Sequence, residues 1–252
     1  MQFRPQEAKS KAREASRAFV VERSPELVRY LVPILFGLAG IAVLVSLGVW
    51  QVQRLAWKEG VLADIEARIA AEPVALPSDL NPDTDRYLPV EVGGTVGDKA
   101  LRVLVSQKTV GAGYRVISAF DMGGRRILLD RGFIKVAEDI PTAPEGEVVV
   151  RGNVHWPDDR NSSTPENDVD GNTWFARDLE QMAQVLNTEP LLVVARETSF
   201  SDAPVTPLPV DTGNIPNDHL EYAVTWFGLA VIWAVMSGYF LWRMRKTAKG
   251  EN

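Results

Sequence analysis

The chain has 252 residues, no cysteine and a formal net charge of -6. Without cysteine there is no disulfide, no thiolate nucleophile and no sulfur-rich metal site, so metal chemistry would fall to His155, His219, methionine or carboxylates. The acidic balance argues against nucleic acid as a partner, and the length allows one or two domains.

Residues 1–29 are polar, with seven Lys/Arg interleaved with Glu7, Glu14, Glu22 and Glu26, a pattern unlike an organellar transit peptide. Residues 30–53 then run for 24 positions without a charge. That is longer than the apolar region of a signal peptide, and no cleavage pattern follows, so the run predicts a retained transmembrane helix. Pro33 is expected in its first turn, where a missing N–H does little harm. Gly37, Gly40 and Gly48 fall near one helical face with Gln51. They read either as a small-residue strip that admits a second helix or as glycine scattered as it is in many spanning helices. The spacing of Leu55, Leu62, Ile65 and Ile69 predicts that the helix continues past the membrane and ends before Pro73. Trp50, Trp57 and Lys58 mark the interface.

A β-rich body follows. Residues 87–95, 101–105, 114–121, 126–134 and 148–156 are runs of Val, Ile and aromatics divided by Gly, Pro and Asp. Gly123-Gly124 suits a two-residue hairpin turn. The regular spacing predicts an α+β domain on an antiparallel sheet, a small barrel or a sandwich. A polar loop over 157–172, a short helix over 178–186 and a last strand over 191–197 complete it. Residues 199–218 carry Pro204, Pro207, Pro209 and Pro216 and predict an extended, semi-rigid strap leading back to the membrane.

From Tyr222 to Trp242 there are 21 positions without a charge, which predicts a second transmembrane helix over 219–242. Asp218 and Glu221 have the spacing of an acidic capping box at its start. Basic residues precede the first helix, and Arg243, Arg245, Lys246 and Lys249 follow the second, so both termini are expected in the cytoplasm. The resulting order is a cytoplasmic segment over 1–29, transmembrane helix 30–53, a periplasmic β-rich domain over 54–198, strap 199–218, transmembrane helix 219–242 and a cytoplasmic tail over 243–252. The translocated part, residues 54–221, holds 16 basic and 28 acidic residues, a net of −12.

Among residues that could carry chemistry, His155 stands near Asp158 and Asp159, but no second histidine supports a metal site and no Ser or Cys motif supplies a nucleophile. It reads as an ordinary, hydrogen-bonded histidine on a strand edge. Asn161-Ser162-Ser163 fits a glycosylation acceptor in a chain without eukaryotic targeting features. Trp174, Phe175 and Met182 read as core. No Gly-rich phosphate loop occurs on a strand-to-helix turn. His219 differs, because at about 100° per residue Tyr222, Trp226, Ala230, Trp233 and Ser237 share its side of the helix. Trp233 lies near mid-membrane, where its N–H needs a partner. A histidine above aromatic and small residues suits an apolar metal-containing ring, since neutral imidazole is an axial haem ligand. It equally suits an interfacial anchor whose aromatics pack on the first helix.

Six motifs carry a resemblance. Leu47-Gly48-Val49-Trp50-Gln51-Val52-Gln53-Arg54-Leu55-Ala56-Trp57-Lys58, Arg86-Tyr87-Leu88-Pro89-Val90, Asp130-Arg131-Gly132-Phe133 and Thr164-Pro165-Glu166-Asn167 are the first four. Trp174-Phe175-Ala176-Arg177-Asp178 and Asn217-Asp218-His219-Leu220-Glu221-Tyr222-Ala223-Val224-Thr225-Trp226-Phe227 follow in the same order. Together they resemble the Surfeit locus protein 1 family over most of the chain.

The resemblance implies a non-enzymatic assembly factor for cytochrome c oxidase that helps haem a reach the catalytic subunit. It implies haem a as a transient ligand, with His219 as axial ligand to the iron; the helical face of Tyr222, Trp226 and Trp233 would then border the ring. It further implies the oxidase catalytic subunit, the haem a synthesis machinery and the lipid bilayer as partners. The lack of a transit pattern points to a bacterial inner membrane. The alternative is a membrane-anchored docking protein that stabilises an oxidase assembly intermediate without binding haem. A membrane sensor would need an output module larger than the cytoplasmic ends supply, and a tethered hydrolase needs a catalytic constellation not visible here.

Overall fold

The computed structural model describes residues 25–107, 110–213, 215–248 and 250. Most of the expected cytoplasmic head, residues 1–24, lies outside the described residues, as do residues 249, 251 and 252 of the tail. In chain order the elements are α1 (Pro25–Ile69), β1 (Val74–Ala75), β2 (Pro89–Gln107), β3 (Gly111–Asp121), β4 (Arg126–Lys135), β5 (Val148–His155), β6 (Thr173–Trp174), α2 (Leu179–Leu186), β7 (Leu192–Thr198) and α3 (His219–Ala248). The chain divides into two units, Met1–Lys58 with Asn217–Asn252, and Glu59–Pro216.

The first unit pairs α1 with α3. Each contains a stretch long and apolar enough to cross a membrane. The apolar side chains on their outer faces, such as Leu35, Phe36, Val224 and Val235, are exposed. α1 begins at Pro25, so Pro33 lies inside the helix and not in its first turn. Polar residues such as Arg29 are good helix formers, so the charge-free run did not mark the helix end. The strip of small residues is the seam between the helices, as one of the two readings expected. Gly37 meets Ser237, and Gly40 lies directly beneath the Trp233 indole. A methyl group at Gly48 would come within 2.7 Å of the Phe227 ring.

The second unit is a closed sheet. β2 pairs antiparallel with β5 through its first half and with β3 through its second. β3 pairs antiparallel with β4, and β5 with β7. β4 and β7 run parallel and complete the ring. Of the two expected architectures this is the barrel. The expected all-antiparallel sheet is corrected to a mixed one, for a topological reason. Five strands in a closed ring cannot alternate direction at every junction, so at least one pair must be parallel, and β4–β7 is that pair. The crossover through α2 makes it possible, since parallel neighbours need a long connection. The short β1 and β6 add parallel pairings to β2. The two expected strands over 87–95 and 101–105 are one 19-residue strand with a register shift between Val96 and Ala100. Such a bulge bends a strand without ending it.

Alternate residues sort into two apolar layers. Ile127, Leu129, Val193 and Ala195 belong to one, and Leu128, Leu192 and Val194 to the other, which α2 covers with Met182 and Leu186. The 122–125 hairpin forms as expected, with Gly123 at φ 80°. The strap is pinned to β4 by the Asp130–Phe133 motif. Phe133 N–H donates to the Thr206 carbonyl at 2.7 Å and Thr206 N–H donates back at 2.9 Å. Gly132, at φ 130°, has the Thr206 backbone where a side chain would be. The buried Arg131 guanidinium grips both carboxylate oxygens of Asp202.

Candidate functional site

The site is built where α3 begins. Asp218 occupies the N-cap position, its carbonyl accepting the Tyr222 N–H at 3.2 Å. The reciprocal side-chain bonds of a capping box do not form among the described residues. His219, the first helical residue, is half-buried, and its Nδ1 lies 2.8 Å from Oε1 of Gln51 on α1. Gln51 is only 8% exposed. With the amide oxygen as acceptor, Nδ1 is the nitrogen that brings the hydrogen, which is the tautomer whose lone pair sits on Nε2.

The aromatic residues divide. Tyr222, 54% exposed, stands on the flank of the face that carries His219. Trp226 is half-buried about two turns below His219. Trp233 belongs to the seam: its Nε1–H donates to the Gly37 carbonyl at 3.1 Å, and its ring sits 5.5 Å from that of Phe36. The partner that its N–H needs is therefore the backbone of α1. Ala223 and Ala230 are buried between these residues, which lets the helices approach.

The barrel holds the other polar concentration. His155 ends β5 and stacks on Tyr87, ring centroids 5.6 Å apart. Its Nδ1 is buried without a hydrogen-bond partner among the described residues, unlike the hydrogen-bonded histidine expected. The nearby carboxylate that could accept from it is committed elsewhere: Arg177 donates to both oxygens of Asp159, at 2.6 and 2.9 Å. Burial and the Arg177 charge push the His155 imidazole down to about 4, so it is neutral. Burial alone would raise Asp159, but the Arg177 guanidinium more than offsets this and holds its carboxyl below the usual range. Arg115 in turn donates to the buried Asp130 at 2.6 Å. Both arginines beside the cleft formed by Val103, Phe175 and Leu208 are thus charge-paired.

The barrel motifs are consumed by structure in the same way. The Asn167 side chain accepts from the Phe175 and Ala176 N–H groups, and Asp178 caps α2 by accepting from the Gln181 N–H. Trp174 and Met182 are fully buried, as expected of core, while Phe175 is half-buried and lines the cleft. Among the described residues no cluster of three or more His, Cys, Asp or Glu stands ready for a bare metal ion. What remains is one histidine whose Nδ1 pairs with Gln51 and whose Nε2 has no hydrogen-bond partner among the described residues, bordered by aromatic and small side chains. A ring nitrogen free in this way can ligate a metal. Sequence reasoning placed Gln51 in the small-residue strip and missed it as the partner of His219.

Residues 38–231, which include both Gln51 and His219, match the SURF1 family. Surfeit locus protein 1 of Homo sapiens is 34% identical over 256 residues, covering 90% of this chain and 81% of that protein. The corresponding protein of Xenopus tropicalis is 33% identical, over 73% of this chain and 67% of that protein. The SURF1-like protein of Drosophila melanogaster is 31% identical, over 78% and 72%.

Proposed function

The chain belongs to the SURF1 family, and from that premise we propose that it is a non-enzymatic assembly factor for cytochrome c oxidase that holds haem a at the membrane and aids its delivery to the catalytic subunit. In this reading His219 supplies the axial bond to the iron through Nε2, with Tyr222 and Trp226 bordering the macrocycle. Trp233 supports the site from the helix seam. The observation that carries the reading is the Nδ1–Gln51 contact at 2.8 Å, which leaves Nε2 as the ligating atom. Haem a is cargo here, and its partners are the oxidase catalytic subunit and the machinery that makes haem a. α1 and α3 span the bilayer of a bacterial inner membrane with both termini cytoplasmic and the barrel periplasmic. The basic residues flanking the two helices support that orientation.

A second reading has one specific observation in its favour. The Trp233 N–H is satisfied by Gly37 and its ring by Gly40, so part of the aromatic face serves helix packing. A docking protein that stabilises an oxidase intermediate without haem would need no more. Purification from cells that make haem a separates the two. The parent is expected to carry a haem a absorption spectrum, His219→Ala and His219→Gln to insert normally and lose it, and His219→Met to keep a weaker bond, as thioether sulfur can ligate haem iron. Equal haem a in the parent and the Gln variant would leave His219 as an anchor only.

A further inference from the structure

Resting on the reading of His219 as an axial ligand, we infer that Gln51 is a positioning residue that fixes the ring of His219 and, being a neutral acceptor, keeps its bond to the iron exchangeable. Gln51 is the buried polar side chain of α1 among the described residues. Burying an amide costs free energy unless it is hydrogen-bonded, and its carbonyl oxygen is matched to one atom, His219 Nδ1. That contact selects the tautomer with the lone pair on Nε2 and restrains rotation of the ring.

The identity of the acceptor matters as much as its position. Histidines that bind metals donate their other N–H to a carboxylate, a carbonyl or water, and the partner tunes the basicity of the ligating nitrogen. A carboxylate makes the stronger, charge-assisted bond and the more basic ligand. Asp218 and Glu221 are close in sequence, yet neither hydrogen-bonds or ion-pairs with the ring among the described residues, and the ring is paired with an uncharged amide from the other helix. A resident cofactor gains from the strongest bond available. A carrier must also release its cargo, and a neutral partner suits that need.

The test uses the full chain in detergent, titrated with ferric haem a, with three readouts: the absorption spectrum, the rate of haem transfer to excess apomyoglobin, and the midpoint potential. Gln51→Leu keeps the side-chain size and removes the acceptor. It is expected to weaken haem affinity about 10–100-fold and to hasten transfer. Gln51→Glu keeps the shape and adds charge. It is expected to slow transfer by about tenfold and to lower the midpoint potential, because a more basic imidazole favours ferric iron. A residue needed only for helix packing would lower stability and leave the transfer rate and potential of the Glu variant unchanged. Should both variants release haem as the parent does, while His219→Gln loses it, this inference falls and the ligand reading stands. A parent that takes up no haem a overturns both. If Gln51→Leu fails to fold, the Glu variant alone decides.

Discussion

His219 and His155 are the only two histidines in the chain, and their surroundings give them opposite characters. His219 has one ring nitrogen engaged by Gln51 and the other free for a ligand. His155 is buried in the barrel against Tyr87, held neutral, with the neighbouring carboxylate already spent on Arg177. Its depressed value sets a pH dependence. The unfolded chain takes up a proton below about 6.5, whereas the folded barrel refuses one until about 4. Between those values the unfolded state binds more protons, so stability rises with pH across the window and is lost as pH falls through it. The parent is expected to lose roughly 3 kcal/mol more than His155→Phe between pH 7 and 4, read from denaturant unfolding of the full chain. Equal pH slopes for the two proteins would contradict the placement of His155.

At the scale of elements, the seam between α1 and α3 is specified by glycines whose missing side chains are occupied by the partner helix. Any side chain at Gly40 would have to displace the Trp233 indole and break its bond to Gly37. Gly238 faces open space and serves as the control. Gly40→Leu is expected to lower the yield of folded, membrane-extracted protein and its thermal midpoint, through overpacking that costs about 1–3 kcal/mol, while Gly238→Leu changes neither. Similar behaviour of the two variants would mean that this seam is wrong. The elements themselves were largely legible in the sequence. Charge-free runs of 24 and 21 residues have the length of a membrane-crossing helix, and β-branched runs punctuated by Gly and Pro gave the strands. The error in β2 is instructive. The stretch around Gly97 and Asp98 read as a break, yet a Cβ at Gly97 would lie 3.3 Å from the Ala119 side chain on the paired strand. A glycine required by close approach and one that ends a strand look alike in sequence. Strand direction at β4–β7 was equally hidden, since it follows from ring closure and not from any local pattern.

For the whole molecule, the antiparallel helix pair brings the start of α1 beside the end of α3, where Tyr30 and Arg245 line one cleft. With basic residues on both segments, a reporter fused at Asn252 is expected to be active only as a cytoplasmic fusion, and one inserted in the 157–172 loop only as a periplasmic one. A periplasmically active fusion at Asn252 would reverse the orientation. The candidate site was half legible. His219 stood out by its place at the head of a helix long and apolar enough to cross a membrane, but Gln51 lies 168 positions away and meets it only through the packing register of two helices. Nothing in one helix alone encodes that register, and for the same reason the sequence could not show that Trp233 turns its N–H to Gly37. The polar residues of the barrel are spent on the strap, the α2 cap and the Arg177–Asp159 pair, in keeping with the structural reading they were given.

The central claim is the bond between His219 and haem iron, and having two histidines makes it directly measurable. Protein labelled with ¹⁵N-histidine and loaded with ferric haem a should show, by pulsed electron paramagnetic resonance, the hyperfine coupling of one axial imidazole nitrogen. This coupling is expected to persist in His155→Gln and to disappear in His219→Gln. A coupling that survives in His219→Gln, or that is absent from the haem-loaded parent, would contradict a His219–iron bond.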